Sequence, residues 1–184
     1  LSVASTTIRK NSATGTTVSS MTFANTYTPD PVTASLSATK TLSRKNLANQ
    51  EFTFALRRTD SLGGTVENST QSKKNAANGS ISFDPLKFSK EGTYTFEVSE
   101  TAGSDTHYTY DTTKYYVTIQ VNKNNVTGAL SVASTTIRKN SATGTTVNSM
   151  TFTNTYTPDP VTASLSATNR RSEERRVGKE CRSR

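Results

Sequence analysis

Three residues of this 184-residue chain interrupt otherwise apolar rows, and their types are complementary. Ala34, Leu36, Ala38, Lys40 and Leu42 alternate with polar residues, so an extended chain puts Lys40 on their face. Tyr94, Phe96, Val98 and Glu100 form a second such row, with Glu97 on the opposite face. Met150, Phe152, Asn154 and Tyr156 form a third. An amine, a carboxyl and a carboxamide are each costly to bury alone. Each also has an ordinary explanation: a lysine snorkelling at a strand end, a glutamate opening a loop, a satisfied core amide. Together they react. Burial lowers a lysine pKa and leaves a neutral, nucleophilic amine, and it raises a glutamate pKa so that the acid stays protonated. Such a Glu100 hydrogen-bonds the Asn154 side-chain carbonyl and polarises it, the Lys40 amine attacks, Glu100 shuttles protons, and ammonia leaves. The expected product is an isopeptide bond from Lys40 to Asn154, formed once per molecule, with Glu100 as its catalytic acid.

The elements that must carry these residues are short and alternating. Val32–Leu42 reads as an opening strand, and Glu51–Arg57 as a second. Residues 57–80 are polar, with Gly63-Gly64 and Asn78-Gly79, and read as loops with one short edge strand or helical turn. Ser80–Phe83, Thr93–Glu100, Lys114–Val121 and Val147–Tyr156 follow as strands, Leu86 and Phe88 continue the apolar beat, and Asn124-Asn125 marks a turn. Seven or eight short strands with frequent turn signals predict an all-β fold, a β-sandwich.

Domain limits come from a repeat. Residues 130–168 restate residues 1–39 with two changes, Ser19 to Asn148 and Ala24 to Thr153. Such near-identity predicts a tandem array with a period of 129 residues. Each copy contains Pro-Asp-Pro, at 29–31 and 158–160, and proline resists the interior of a sheet. One complete domain is therefore expected over 32–157. Residues 1–28 read as the end of a preceding repeat, 29–31 as a linker, and 158–168 as linker and first strand of the next. Asn25 matches Asn154 but belongs to the preceding repeat, so it is expected to stay unreacted in a poorly ordered segment.

The net charge of +8 is uneven. Residues 169–184 hold seven Lys/Arg and three Glu, half the excess in a tail that breaks the repeat: Asn169 stands where Lys40 would recur. Arg171–Arg184, RSEERRVGKECRSR, resembles the translation of a sequencing-library adapter, so 169–184 is expected to be non-native. Cys181 then leaves with it, and the rest of the chain is cysteine-free. No apolar run is long enough to span a membrane. His107 is the only histidine and sits beside a loop, without the set of supporting ligands that a metal site or a Ser-His-Asp triad needs, so neither a metal, a cofactor nor enzymatic turnover is expected. Lys73-Lys74 lacks aromatic interleaving, which argues against nucleic-acid binding.

Thr39-Lys40-Thr-Leu42, Gly92–Glu100 and Phe152-Thr-Asn154-Thr-Tyr156, in this order, resemble the streptococcal pilin isopeptide-linkage repeat. That repeat belongs with the immunoglobulin-like B-type domains of Gram-positive pilins and surface adhesins. The resemblance covers 32–157. It implies an immunoglobulin-like sandwich with first and last strands side by side, Lys40 and Asn154 as the bonded pair, and Glu100 as the acid. It implies a structural stalk repeat on a bacterial cell surface, cell-wall anchored through its parent, with neighbouring repeats as partners. The alternative is an adhesin module binding host glycan or matrix protein, for which Tyr108, Tyr110 and Tyr115 are the candidate contacts.

Overall fold

The computed structural model describes residues 7–60 and 65–168, and no helix occurs among them. The expected non-native tail at 169–184 lies outside the described residues. In chain order the strands are β1 (Ile8–Arg9), β2 (Thr17–Val18), β3 (Val32–Ala34), β4 (Ser37–Ser43), β5 (Thr53–Arg58), β6 (Val66–Glu67), β7 (Thr70–Lys74) and β8 (Ser80–Ser82). They continue with β9 (Leu86–Phe88), β10 (Gly92–Thr101), β11 (Tyr108–Thr109), β12 (Lys114–Lys123), β13 (Leu130–Lys139), β14 (Thr146–Val147) and β15 (Thr151–Tyr156).

The fold is an immunoglobulin-like β-sandwich. One sheet has the order β14-β13-β12-β10-β5-β7, and the facing sheet has the order β11-β15-β4-β8. A third sheet, β3-β9-β6, closes one flank, and β1-β2 is a separate hairpin. The inward rows interleave aromatic rings between layers. Phe152 lies 5.1 Å from Phe54 and 5.2 Å from Tyr115, and Phe88 lies 4.8 Å from Tyr94. Such packed, water-free pairs supply the core that a Ser- and Thr-rich surface cannot.

β15 pairs with β4 in parallel, with Phe152 opposite Lys40 and Asn154 opposite Leu42. First and last strands thus lie side by side. Parallel neighbours cannot be joined by a tight turn, and here most of the domain separates them.

Three local expectations need correction. Val147–Tyr156 is not one strand: it divides into β14, at the edge of the six-stranded sheet, and β15, in the facing sheet. Val32–Leu42 is not one strand: it splits into β3 and β4, which pair with β9 and with β8 and β15 respectively. The inward alternation survives this change of sheet, so Leu36, Ala38 and Lys40 remain buried. The run 57–80 contains two strands, β6 and β7, rather than mostly loop. β7, with sequence TQSKK, carries no apolar residue because it is an edge strand, paired only with β5. Lysines on such an edge discourage further pairing.

Candidate functional site

Lys40 points inward from the middle of β4, and its side chain is fully buried. Its ammonium lies 4.6 Å from the centre of the Phe52 ring and 5.8 Å from that of Phe54. These rings alternate inward along the chain leading into β5 and wall the amine from water. Glu100 arrives from β10 in the opposite sheet, and its side chain is also fully buried. Asn154 arrives from β15 and is buried as well.

The three side chains meet. Lys40 Nζ lies 2.6 Å from Glu100 Oε2, and Asn154 Nδ2 donates to Glu100 Oε1 at 2.5 Å. Lys40 and Asn154 are not directly cross-strand partners. They sit diagonally, two residues apart in register on one face, a gap that a lysine stem spans.

Burial dominates the electrostatics. Loss of hydration pushes the Lys40 pKa below its ordinary value, against the opposing pull of the Glu100 hydrogen bond and charge. It pushes the Glu100 pKa up, against the hydrogen bonds from Lys40 and Asn154. Both shifts favour a neutral amine beside a protonated acid.

The carboxamide is oriented differently from the sequence-based expectation. Its carbonyl Oδ1 accepts from the backbone N–H of Asp111 at 2.7 Å, not from Glu100. A backbone N–H only donates, so it fixes which end of the amide faces it. The NH₂ end is thereby turned to Glu100.

Asp111 was not singled out by sequence. Its Oδ1 accepts from Thr113 N at 2.8 Å and its Oδ2 from Thr153 N at 2.7 Å, so one side chain shapes its own loop and ties it to β15. Burial alone would raise its pKa, but these hydrogen bonds outweigh it and hold the carboxyl below its usual range. The Asp-Thr-Thr run, in which an Asp side chain caps a backbone N–H two residues on, is the signal that points to it.

Asn75 is a second buried amide absent from the sequence reading, and its role is structural. It accepts from Phe52 N at 2.8 Å and donates to Ala48 O and Ala76 O at 2.8 and 3.0 Å. Tyr115 is buried, with its hydroxyl donating to Thr151 O at 2.7 Å. Tyr108 and Tyr110 pack on Phe52. The three tyrosines thus serve the sandwich. Glu97, on the outer face, is held by Arg57 at 2.9 Å and Tyr116 at 3.1 Å. Asn25 is exposed and lies outside any strand.

An immunoglobulin-like sandwich whose core holds a glutamate in contact with both a lysine and an asparagine defines a narrow class of domain. The chain belongs to the family described as FctA, Spy0128-like isopeptide containing domain, whose model matches residues 36–157. A search of curated proteins returns no match. Among solved structures, the chain is similar to the major pilin of Streptococcus pyogenes at 18% identity, with TM-score 0.44, over 71% of this chain and 51% of that one. It is similar to the T-13 major pilin of S. pyogenes serotype GAS131465 at 18% identity, with TM-score 0.46, over 70% and 54%. For the T3.2 major pilin of serotype GAS13637 the values are 21%, 0.42, 67% and 52%. The chain spans about half the length of these pilins. Family membership rests on the family match alone. No helix among the described residues is long and apolar enough to cross a membrane.

Proposed function

We propose that this chain is a shaft segment of a bacterial surface fibre of pilin type, built from tandem sandwiches that each lock themselves with a Lys–Asn isopeptide bond. The observation that carries this reading is the buried contact of Lys40, Glu100 and Asn154. The neutral Lys40 amine attacks Cγ of Asn154. The new Nζ–Cγ bond forms as the Cγ–Nδ2 bond breaks. Glu100 takes the proton from Nζ through Oε2 and delivers a proton to Nδ2 through Oε1, so ammonia leaves and the carboxyl is regenerated. The Asp111 N–H stabilises the negative charge that develops on Oδ1. The reaction runs once per molecule, so the chain turns over no substrate.

The bond ties the strand by which the chain enters the sandwich to the strand by which it leaves. Tension along the fibre then passes from β4 to β15 through a covalent link rather than through hydrogen bonds that peel apart. The complete domain on this reading is 32–157, bounded by the Pro-Asp-Pro linkers. Residues 1–28 and 158–168 belong to its neighbours. The setting is the surface of a Gram-positive cell, with anchoring supplied by the parent protein. The adhesin alternative draws no support from Tyr108, Tyr110 and Tyr115, which pack into the sandwich.

Intact-mass spectrometry of the full chain tests this reading. The wild-type chain is expected to be lighter than its sequence mass by one ammonia. Lys40→Ala and Asn154→Ala chains are expected to retain the full mass. An unshifted wild-type mass rejects the cross-link.

A further inference from the structure

The parallel pairing of β4 with β15 sends the chain into the sandwich at one pole and out at the other. At the entry pole the ring of Tyr27 lies against Gly128, in the turn between β12 and β13. Gly128 has φ of 76°, and a Cβ built there would fall 2.4 Å from Cε1 of Tyr27. The backbone therefore favours glycine there, and any larger residue would have to push the Tyr27 ring aside. Tyr27, Thr28 and Pro29 share one shallow groove with Lys90, Lys123 and Leu130. Lys123 ends β12 and Leu130 opens β13, and Lys90 lies in the turn between β9 and β10.

At the exit pole the chain is also held. Thr157 N donates to His107 O at 2.8 Å. His107 Nε2 lies 3.2 Å from Asp159 Oδ1, inside the Pro-Asp-Pro segment, and Nδ1 lies 2.8 Å from Asp105 Oδ1. The Tyr156 ring packs on His107 at 5.9 Å and on Tyr108 at 5.2 Å.

The repeat offset makes Tyr27 the counterpart of Tyr156, and Asp30 the counterpart of Asp159. The two poles therefore display the two halves of one junction. We infer that consecutive repeats meet at a fixed joint: the last-strand tyrosine of one repeat packs between His107 and Tyr108 of its own sandwich and the Gly128 turn of the next, while His107 holds the linker aspartate. The inference rests on the tandem-array reading and specifies the surface each repeat offers its neighbour. Tyr27 stays 60% exposed with Gly128 against it, which leaves surface for the contacts that Tyr156 makes. The two prolines of each linker fix φ on either side of the aspartate and restrict the residues before them, so little freedom is left between the two anchor points.

NMR on the full chain tests the joint. The Gly128 Hα resonance is expected to be shifted by the ring current of Tyr27, with cross-peaks between the two residues. Tyr27→Leu should abolish the shift and leave the sandwich resonances in place. Backbone order parameters of 27–31 and 157–160 should approach those of the adjoining strands, and His107→Ala should lower them at 157–160. Order parameters below about 0.6 in either linker of the wild-type chain overturn the joint. So does a Gly128 Hα position unchanged by Tyr27→Leu. A chain that has lost ammonia but shows mobile linkers overturns the joint alone and leaves the cross-link standing.

Discussion

Glu100 stands between Lys40 and Asn154 with one carboxyl oxygen turned to each, at 2.6 and 2.5 Å. A single acid thus touches both the nitrogen that would attack and the nitrogen that would leave. Burial adjusts this trio in the direction the chemistry needs, since it disfavours charge on the amine and on the carboxyl alike.

Removing the acid should cost both the bond and stability. Glu100→Gln keeps the shape but leaves no proton carrier, so the chain should hold its full sequence mass. It also takes the carboxyl away from the buried Lys40 amine, and leaving a buried polar group without its partner costs about 1–3 kcal/mol. The double variant Lys40→Met/Glu100→Leu, which removes both buried polar groups, should unfold at higher urea than Glu100→Gln. Against either, the wild-type chain gains a closed loop from residue 40 to residue 154, which by analogy with a disulfide adds on the order of 4–5 kcal/mol. Equal urea midpoints for wild type and double variant would show that no such loop is closed.

Asp111 should act as a positioning residue. Its backbone N–H holds the Asn154 carbonyl, and its carboxylate holds the loop and β15 in register. In Asp111→Ala the donor remains but its position is no longer fixed. Cross-linking after refolding, followed by mass, should slow by roughly 10–100-fold, the scale of a reacting group displaced by about an ångström. The bond should still form at long times. The pH dependence follows from the depressed folded-state pKa of Asp111. Its contribution to stability is complete above the unfolded-state value and fades as pH falls through the lower folded-state value. Asp111→Ala should therefore flatten the acid limb of a stability-versus-pH curve. An unaltered rate and an unaltered acid limb would remove Asp111 from the site.

His107 should titrate above an ordinary histidine. Asp105 raises its pKa most, through a direct hydrogen bond, and Asp159 adds a second. Both carboxylates and the Tyr156 ring face it. Because the folded-state pKa is raised, the hold on Asp159 is complete below the unfolded-state pKa and is lost as pH rises through the folded-state value. Following the imidazole resonances with pH should give a lower pKa in Asp159→Asn than in wild type. The difference should shrink in high salt, because the groups are solvent-accessible. A pKa indifferent to Asp159→Asn would dissolve the contact.

The period-two alternation of side chains is local, and it suffices to put Lys40, Glu100 and Asn154 on inward faces before any strand is paired. The motif order around them suffices to name the family. Which strands become neighbours is not local, and several features depended on it. β7 is invisible to alternation because an edge strand buries no row of its own. Asn75 reads as a turn residue until Phe52 and Ala48 are brought beside it. The orientation of the Asn154 carboxamide depends on an N–H that lies 43 residues away.

The clearest case is the repeated segment itself. Thr151–Tyr156 forms β15, whereas the corresponding residues 22–27 form no strand and leave Phe23 88% exposed. Their sequences differ only at Ala24 and Thr153. The sequence determined what this segment offers, an apolar face carrying a carboxamide. Tertiary structure decided whether the offer is taken up, because an extended strand satisfies its backbone and buries its face only where a partner such as β4 lies beside it.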